Sequence, residues 1–145
     1  MEGMSNIIKQ MAKILTGIIF MYGLYIIVHG HLTPGGGFAG GAILAGAFIL
    51  LILAYGSNAL SLKKEVKGSS NTESIAILLV VVLALMALVF GAKIFFFNFL
   101  PKGTAGELVS AGVIPLYNVF IGIEVAGAIL TIFLALVIFK EESNQ

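Results

Sequence analysis

Apolar positions in this chain fall into four long runs rather than an alternation. They cover residues 11–28, 38–55, 75–99 and 116–139. At a rise of ~1.5 Å per residue, each can cross a hydrocarbon layer of ~30 Å, the second only just. Lipid offers no partner to a bare backbone amide, so a spanning segment must be a helix or part of a closed barrel. Continuous apolar runs without a period of two indicate helices. The expected fold is an all-α integral membrane protein with four transmembrane helices, forming one domain over residues 1–145. A polar start before an apolar run also resembles a secretory leader. Here the run leads into Pro-Gly-Gly-Gly with no small-residue cleavage site, and three more runs follow, so it reads as a retained first span.

The polar breaks differ in kind. Residues 29–41, HGHLTPGGGFAGG, hold both histidines and one of the three prolines. Pro34 drives Thr33 out of helical geometry, and Gly35, Gly36 and Gly37 permit dihedrals closed to other residues. This is a fixed break, suited to docking a neighbouring subunit or shaping an ion path. Residues 56–74, GSNALSLKKEVKGSSNTES, read as a solvated linker. Ser70 or Thr72 is expected to cap the third span, with Glu73 in its first turn. Residues 101–115, PKGTAGELVSAGVIP, place Thr104 and Glu107 three apart, as in a capping box. A short interfacial helix is expected there, with Pro115 opening span four, where a missing N–H costs nothing.

Composition sharpens the membrane reading. The 145 residues are 59% hydrophobic, 10% charged and have a mean hydropathy of +1.10. A soluble domain would carry about a quarter charged residues. The net charge of +1 gives no footprint for nucleic acid, and there is neither arginine nor aspartate. Lys9, Lys13, Lys63, Lys64, Lys67 and Lys140 fall on one side of a four-span chain, against Lys93 and Lys102 on the other. Positive charge favours the cytoplasmic face, so both termini are expected inside the cell membrane, with residues 29–37 and 100–115 outside.

Candidate chemistry is sparse. The absence of cysteine excludes disulfides, thiol catalysis and iron–sulfur ligation by this chain. Two histidines two residues apart lie on different helical faces and make a poor metal site, so neither a metal nor a cofactor is expected. His29 and His31 are either surface hydrogen-bonding groups or proton relays. Residues 35–40 match G-x-G-x-x-G, but they follow a membrane helix rather than a strand, which argues against a nucleotide site. Gly36/Gly40, Gly37/Gly41 and Ala42/Gly46 form small faces that admit another helix, and Phe38 among them suits a neighbour's groove.

Two ionisable groups are expected within spans: Glu124 in the fourth and Lys93 late in the third. A charge at mid-membrane costs ~2.5–3.5 kcal/mol on insertion scales, so such groups face protein or water and pair. Tyr117, Gly127, Ala128 and Thr131 share a small, polar stripe with Glu124. Lys93 either pairs with Glu124 or extends alone to the interface. Glu124 and Lys93, with Thr131, His29 and His31, are the candidates for an ion path.

Three blocks carry a resemblance: residues 29–41, GTAGELVSAGVIPLYN at 103–118, and GIEVAGA at 122–128. Together they resemble the MnhB/MrpB family, the B subunits of multisubunit Na+/H+ antiporters of the Mrp type. The resemblance implies a small non-catalytic subunit among other membrane subunits, with Na+ and H+ as the transported ions. It extends to antiporter modules of membrane-bound hydrogenases and related respiratory complexes. It also implies functional sensitivity at Pro34, Phe38, Lys93 and Pro115, while docking at the turn by Gly35, Gly36, Gly37, Gly40 and Gly41 is expected from their small faces. Sodium takes hard oxygen ligands, which a carboxylate, a threonine and free carbonyls supply. A scaffold without ion contact and an autonomous homodimeric transporter stand as alternatives. No nucleophile, base and oxyanion site assemble into an enzyme.

Overall fold

The computed structural model describes residues 4–56, 62–91, 93–104, 106–107 and 110–143. It holds four helices: α1 (Asn6–Val28), α2 (Gly36–Tyr55), α3 (Leu62–Val89) and α4 (Ile114–Ser143). All four are long and apolar enough to cross a membrane, with spans of Asn6–Val28, Gly36–Tyr55, Val66–Val89 and Ile114–Lys140. No strand occurs among the described residues. α2 lies between α1 and α4, and α3 packs mainly against the far side of α4.

Glycine builds the contacts among α1, α2 and α4, because lipid gives these helices no hydrophobic reason to associate. A Cβ on Gly23 of α1 would sit 2.8 Å from Leu44 Cδ2 and 3.2 Å from Gly40 O of α2. One on Gly40 would run into Ile27 and stand 2.9 Å from Gly23 O. One on Gly41 would sit 2.5 Å from Gly122 O of α4 and 2.9 Å from Val125 Cβ. Near the termini Ile52, Leu134 and Val137 close an apolar cluster, with Val66 of α3 against it. The Gly36/Gly40 and Gly37/Gly41 faces expected to admit another helix therefore admit α1 and α4 of the same chain, whereas Gly46 of the third expected face is exposed and a Cβ there would meet nothing within 4 Å.

α2 and α4 match their expected runs closely. α3 does not. Its helix starts at Leu62, well before the expected residue 75, and ends at Val89, well short of 99. The Ser/Thr stretch holds helical geometry by bonding back onto its own carbonyls: Thr72 Oγ1 donates to Gly68 O (2.9 Å) and Ser74 Oγ to Ser70 O (3.0 Å). Ser70 and Thr72 are thus interior residues and not caps. At the other end, Gly91 takes φ +83° and its N–H bonds to Leu88 O at 3.0 Å, ending the helix. The apolar residues that follow leave it.

Between α3 and α4 the chain is tied across itself. Asn98 Nδ2 donates to Ala111 O (2.9 Å), Val113 N–H donates to Asn98 Oδ1 (3.1 Å), and Ala111 N–H donates to Lys102 O (2.8 Å). Thr104 and Glu107 are exposed, and Glu107 N–H closes a turn on Thr104 O at 3.3 Å. The interfacial helix expected here falls partly on residues 105, 108 and 109, outside the described residues, and those around them form turns. Pro115 is the second residue of α4, in the first turn where no N–H is needed.

Candidate functional site

The polar groups gather at two levels, one at the turn between α1 and α2 and one at the middle of the α3–α4 contact.

At the turn, Gly35 (φ +123°) and Gly36 (φ +60°) occupy conformations that L side chains rarely adopt, and α2 starts from them. The first turn of a helix has unpaired N–H groups, and a side chain of α4 reaches one of them: Gly37 N–H donates to Asn118 Oδ1 at 3.4 Å. The fit is close, since a Cβ on Gly30 would lie 2.9 Å from Asn118 Nδ2 and one on Gly37 would meet the Asn118 carbonyl. Asn118 thus binds turn, α2 and α4 together. Nothing in its own sequence neighbourhood signalled this, because the contact joins residues 81 apart.

The two histidines go different ways. His29 Nδ1–H donates to Tyr25 O at 3.0 Å and its ring stacks on Tyr25 at 4.1 Å. His31 Nε2–H donates to Glu107 O at 3.4 Å, tying the turn to the α3–α4 connection, while its Nδ1 is buried without a partner. No group of three metal-ligating side chains forms among the described residues. Pro34 and Phe38 are exposed, Phe38 at 67%.

At the second level, Gly127 is the middle residue of the α4 span Ile114–Lys140. α3 presses against it. A Cβ there would lie 3.2 Å from Ser69 O, 3.3 Å from Glu73 N and 3.4 Å from Glu73 Cβ. Ser69, buried, donates its hydroxyl to Gly127 O at 2.8 Å. Glu73 therefore stands level with the middle of the α4 span, although it lies in the first third of the α3 span Val66–Val89, and the sequence reading had it in the first turn of a span. Glu124, half-buried, is one turn away on α4, and Thr131, one turn the other way, holds a buried Oγ1 without a hydrogen bond. Glu73 and Ser69 on α3 and Glu124, Gly127 and Thr131 on α4 thus follow one helix–helix contact, which is rich in oxygen-bearing residue types.

Lys93 is not part of this seam. It lies past the end of α3, exposed, and no ion pair joins it to Glu124 among the described residues. The early helix stop at Gly91 is the reason: what had counted as the last turns of a span is loop.

Four membrane-length helices and a glycine-tight core define a multi-pass, all-α membrane protein. The comparisons with known proteins agree. Residues 7–131 match a domain described as related to the MnhB subunit of Na+/H+ antiporter. A protein of Staphylococcus haemolyticus, provisionally named antiporter subunit mnhB2, is 34% identical over 90% of this chain and 92% of its own length. An uncharacterised protein of Methanocaldococcus jannaschii is 33% identical over 86% of this chain and 49% of its own, so the chain spans about half of that relative. A chain in the structure of the membrane-bound sulfane sulfur reductase, an archaeal respiratory membrane complex, superposes with a TM-score of 0.73 at 33% identity. That match covers 89% of this chain and 56% of the other. This chain belongs to the MnhB family.

Proposed function

We propose that this chain is a non-catalytic membrane subunit of a multisubunit monovalent cation/proton antiporter, with both termini cytoplasmic, and that its α3–α4 seam borders the sodium path. The observation that carries the reading is the polar line along the α3–α4 contact: Ser69 bonded to Gly127 O, Glu73 packed beside Gly127, half-buried Glu124 one turn along α4, and the buried Thr131 hydroxyl without a hydrogen bond. Charged groups within spans are costly and serve ion or proton pathways in most membrane proteins. Glu124 and Glu73 would take the cation or a proton in turn. The turn at 29–41, with His29 and His31, would shape the approach from the opposite face, and Lys93 would act only from the loop.

The test is sodium/proton exchange by the assembled complex in vesicles. Glu124→Gln and Glu73→Gln each keep the side-chain volume and remove the charge, and each is expected to lose most of the exchange activity, because intramembrane carboxylates mark ion and proton paths. Lys93→Ala is expected to matter far less. Unchanged exchange in both glutamine variants would retire the path.

A second parent is favoured by the neighbour in a respiratory complex: the same subunit could serve an antiporter module driven by redox chemistry, as in a hydrogenase-type assembly. Iron–sulfur or nickel subunits co-purifying with the chain would select that parent, while membrane subunits alone would select a stand-alone antiporter.

A further inference from the structure

Beyond α3 the chain is under two opposing constraints. Phe90, Ile94, Phe95 and Phe96 are each 58–64% exposed, and apolar surface gathered in this way marks a contact with membrane or protein. Their backbone is not helical, since α3 ends at Val89, and irregular backbone open to lipid is not tolerated within the hydrocarbon layer. The boundary of that layer satisfies both demands, because the side chains enter it while the amides stay hydrated.

The fold puts the segment at that boundary. The α3 span ends at Val89 and the α4 span begins at Ile114, so the residues between them fall at one membrane face. The Phe96 ring tilts onto Tyr117, in the first turn of α4, at 5.5 Å, and Phe90 stacks on Phe99 at 4.8 Å. With Asn98 bonded to Ala111 and Val113, these contacts hold the loop level with the start of α4. Aromatic side chains concentrate at this depth. Next along the chain, an apolar cleft of about 490 Å³ opens between Leu100, Pro101 and Gly103 and the α4 residues Pro115 and Leu116. Charge completes the pattern. No carboxylate falls between Glu73 and Glu107, and the charges there are Lys93 and Lys102, both exposed. Lys93 adjoins Ile94, and Lys102 lies between two residues of the cleft wall.

We infer that the segment from Phe90 to Gly103, with the start of α4, binds anionic phospholipid at the membrane surface. The aromatic side chains and the cleft take acyl chain, and Lys93 and Lys102 meet the negative headgroups, as basic groups on apolar stems do at an interface. No residue of the α3–α4 contact takes part, so the site stands or falls apart from the ion path. Lipid held there braces the loop from one side, while His31 ties the same connection to the α1–α2 turn through Glu107 O.

The test uses the intact complex in vesicles of equal phosphatidylglycerol and phosphatidylcholine. A photoreactive amino acid at Phe95 is expected to crosslink to phospholipid, read from the mass of the adduct peptide. Phosphatidylglycerol should be favoured by about fivefold or more, the worth of one lysine near anionic lipid. Lys93→Gln combined with Lys102→Gln is expected to bring the two adducts to parity while total lipid capture stays. Phe95→Cys gives this chain its one cysteine and is expected to react slowly with a water-soluble maleimide. A crosslink mapped to a peptide of another subunit would overturn the inference and make the loop a subunit contact. Fast aqueous labelling would overturn it too, as would equal capture of both lipids with the lysines in place, or a preference that survives their loss.

Discussion

The two sides of α4 are built on opposite rules. Towards α2 it presents Asn118, Gly122 and Val125 to a helix whose own contacts are glycine, so backbone meets backbone. Towards α3 it presents Gly127 to Ser69 and Glu73, and the approach there is to polar groups. The first contact resembles the interior of any compact membrane protein. The second sets the Ser69 hydroxyl and the backbone of Glu73 against the middle of α4, with polar residues exposed on the other side of α3. One side is glycine packing that makes the fold, and the other is the polar contact on which the proposed function rests.

Enlarging a glycine on the α2 side should break the molecule. Gly41→Leu sets a whole side chain against Gly122 O, where even a Cβ would be at 2.5 Å and the obstacle is backbone. The cost is expected to exceed ~4 kcal/mol, the range reserved for severe overpacking. Protease resistance and monodisperse yield of the chain in detergent should both collapse. Gly40→Leu, against Gly23 O, should behave alike, so it tests this chain's own folding more than its docking to a neighbour. If Gly41→Leu gave wild-type yield, the helices would not be crossing on glycine at all.

Asn118→Ala should cost less, about 1 kcal/mol, the usual value of a lost helix cap. Part of that loss is offset, because the buried Asn118 Nδ2, which has no partner, leaves with the side chain. Hydrogen exchange at the start of α2 would report it, as faster exchange at Gly37 and the next turn with the far end of α2 unchanged. Uniform acceleration along α2 would mean that Asn118 supports the bundle generally rather than the turn.

The same division decides how much could be read in advance. The α2 and α4 spans were legible because each apolar run is bounded by residues that stop or start a helix: Pro34 and the glycines before α2, Gly56 after it, Pro115 at the start of α4. The helical break at 29–35 and the use of small residues for packing follow from the same signals. α3 was misplaced at both ends because hydropathy scores each residue against lipid. Thr72 and Ser74 escape that penalty by bonding Gly68 O and Ser70 O, and Ser69 escapes it on Gly127 O. The end of α3 did carry a signal, since Gly91 precedes Lys93 as a helix stop would, but the aromatic run after it outweighed that in the hydropathy pattern. The shift of register moved Lys93 out of the membrane and Glu73 into it. Asn118 was hidden for another reason: its role depends on a tertiary contact.

On the α3 side a single hydroxyl can be removed. Ser69→Ala deletes the 2.8 Å bond to Gly127 O and leaves that carbonyl bonded within its own helix. Hydrogen bonds between membrane helices average about 0.6 kcal/mol, so the isolated chain should lose only a small part of its thermal stability in detergent. A loss several times larger would put the α3–α4 contact among the determinants of the fold and erase the contrast between the two sides of α4.

The smallest effect should come from Gly46, a glycine that neither side uses. It is exposed in the middle of α2, and a Cβ there meets nothing within 4 Å. Gly46→Ala removes backbone freedom from the unfolded chain without touching a neighbour, so the isolated chain should gain stability, by roughly 0.4–1 kcal/mol where the helix is unstrained. A thermal melt in detergent measures that gain directly. Paired with the same substitution in the whole complex, the melt becomes diagnostic. A gain in the isolated chain and in the complex would leave Gly46 facing lipid. A gain in the chain with weaker retention of other subunits would place a partner helix close against α2.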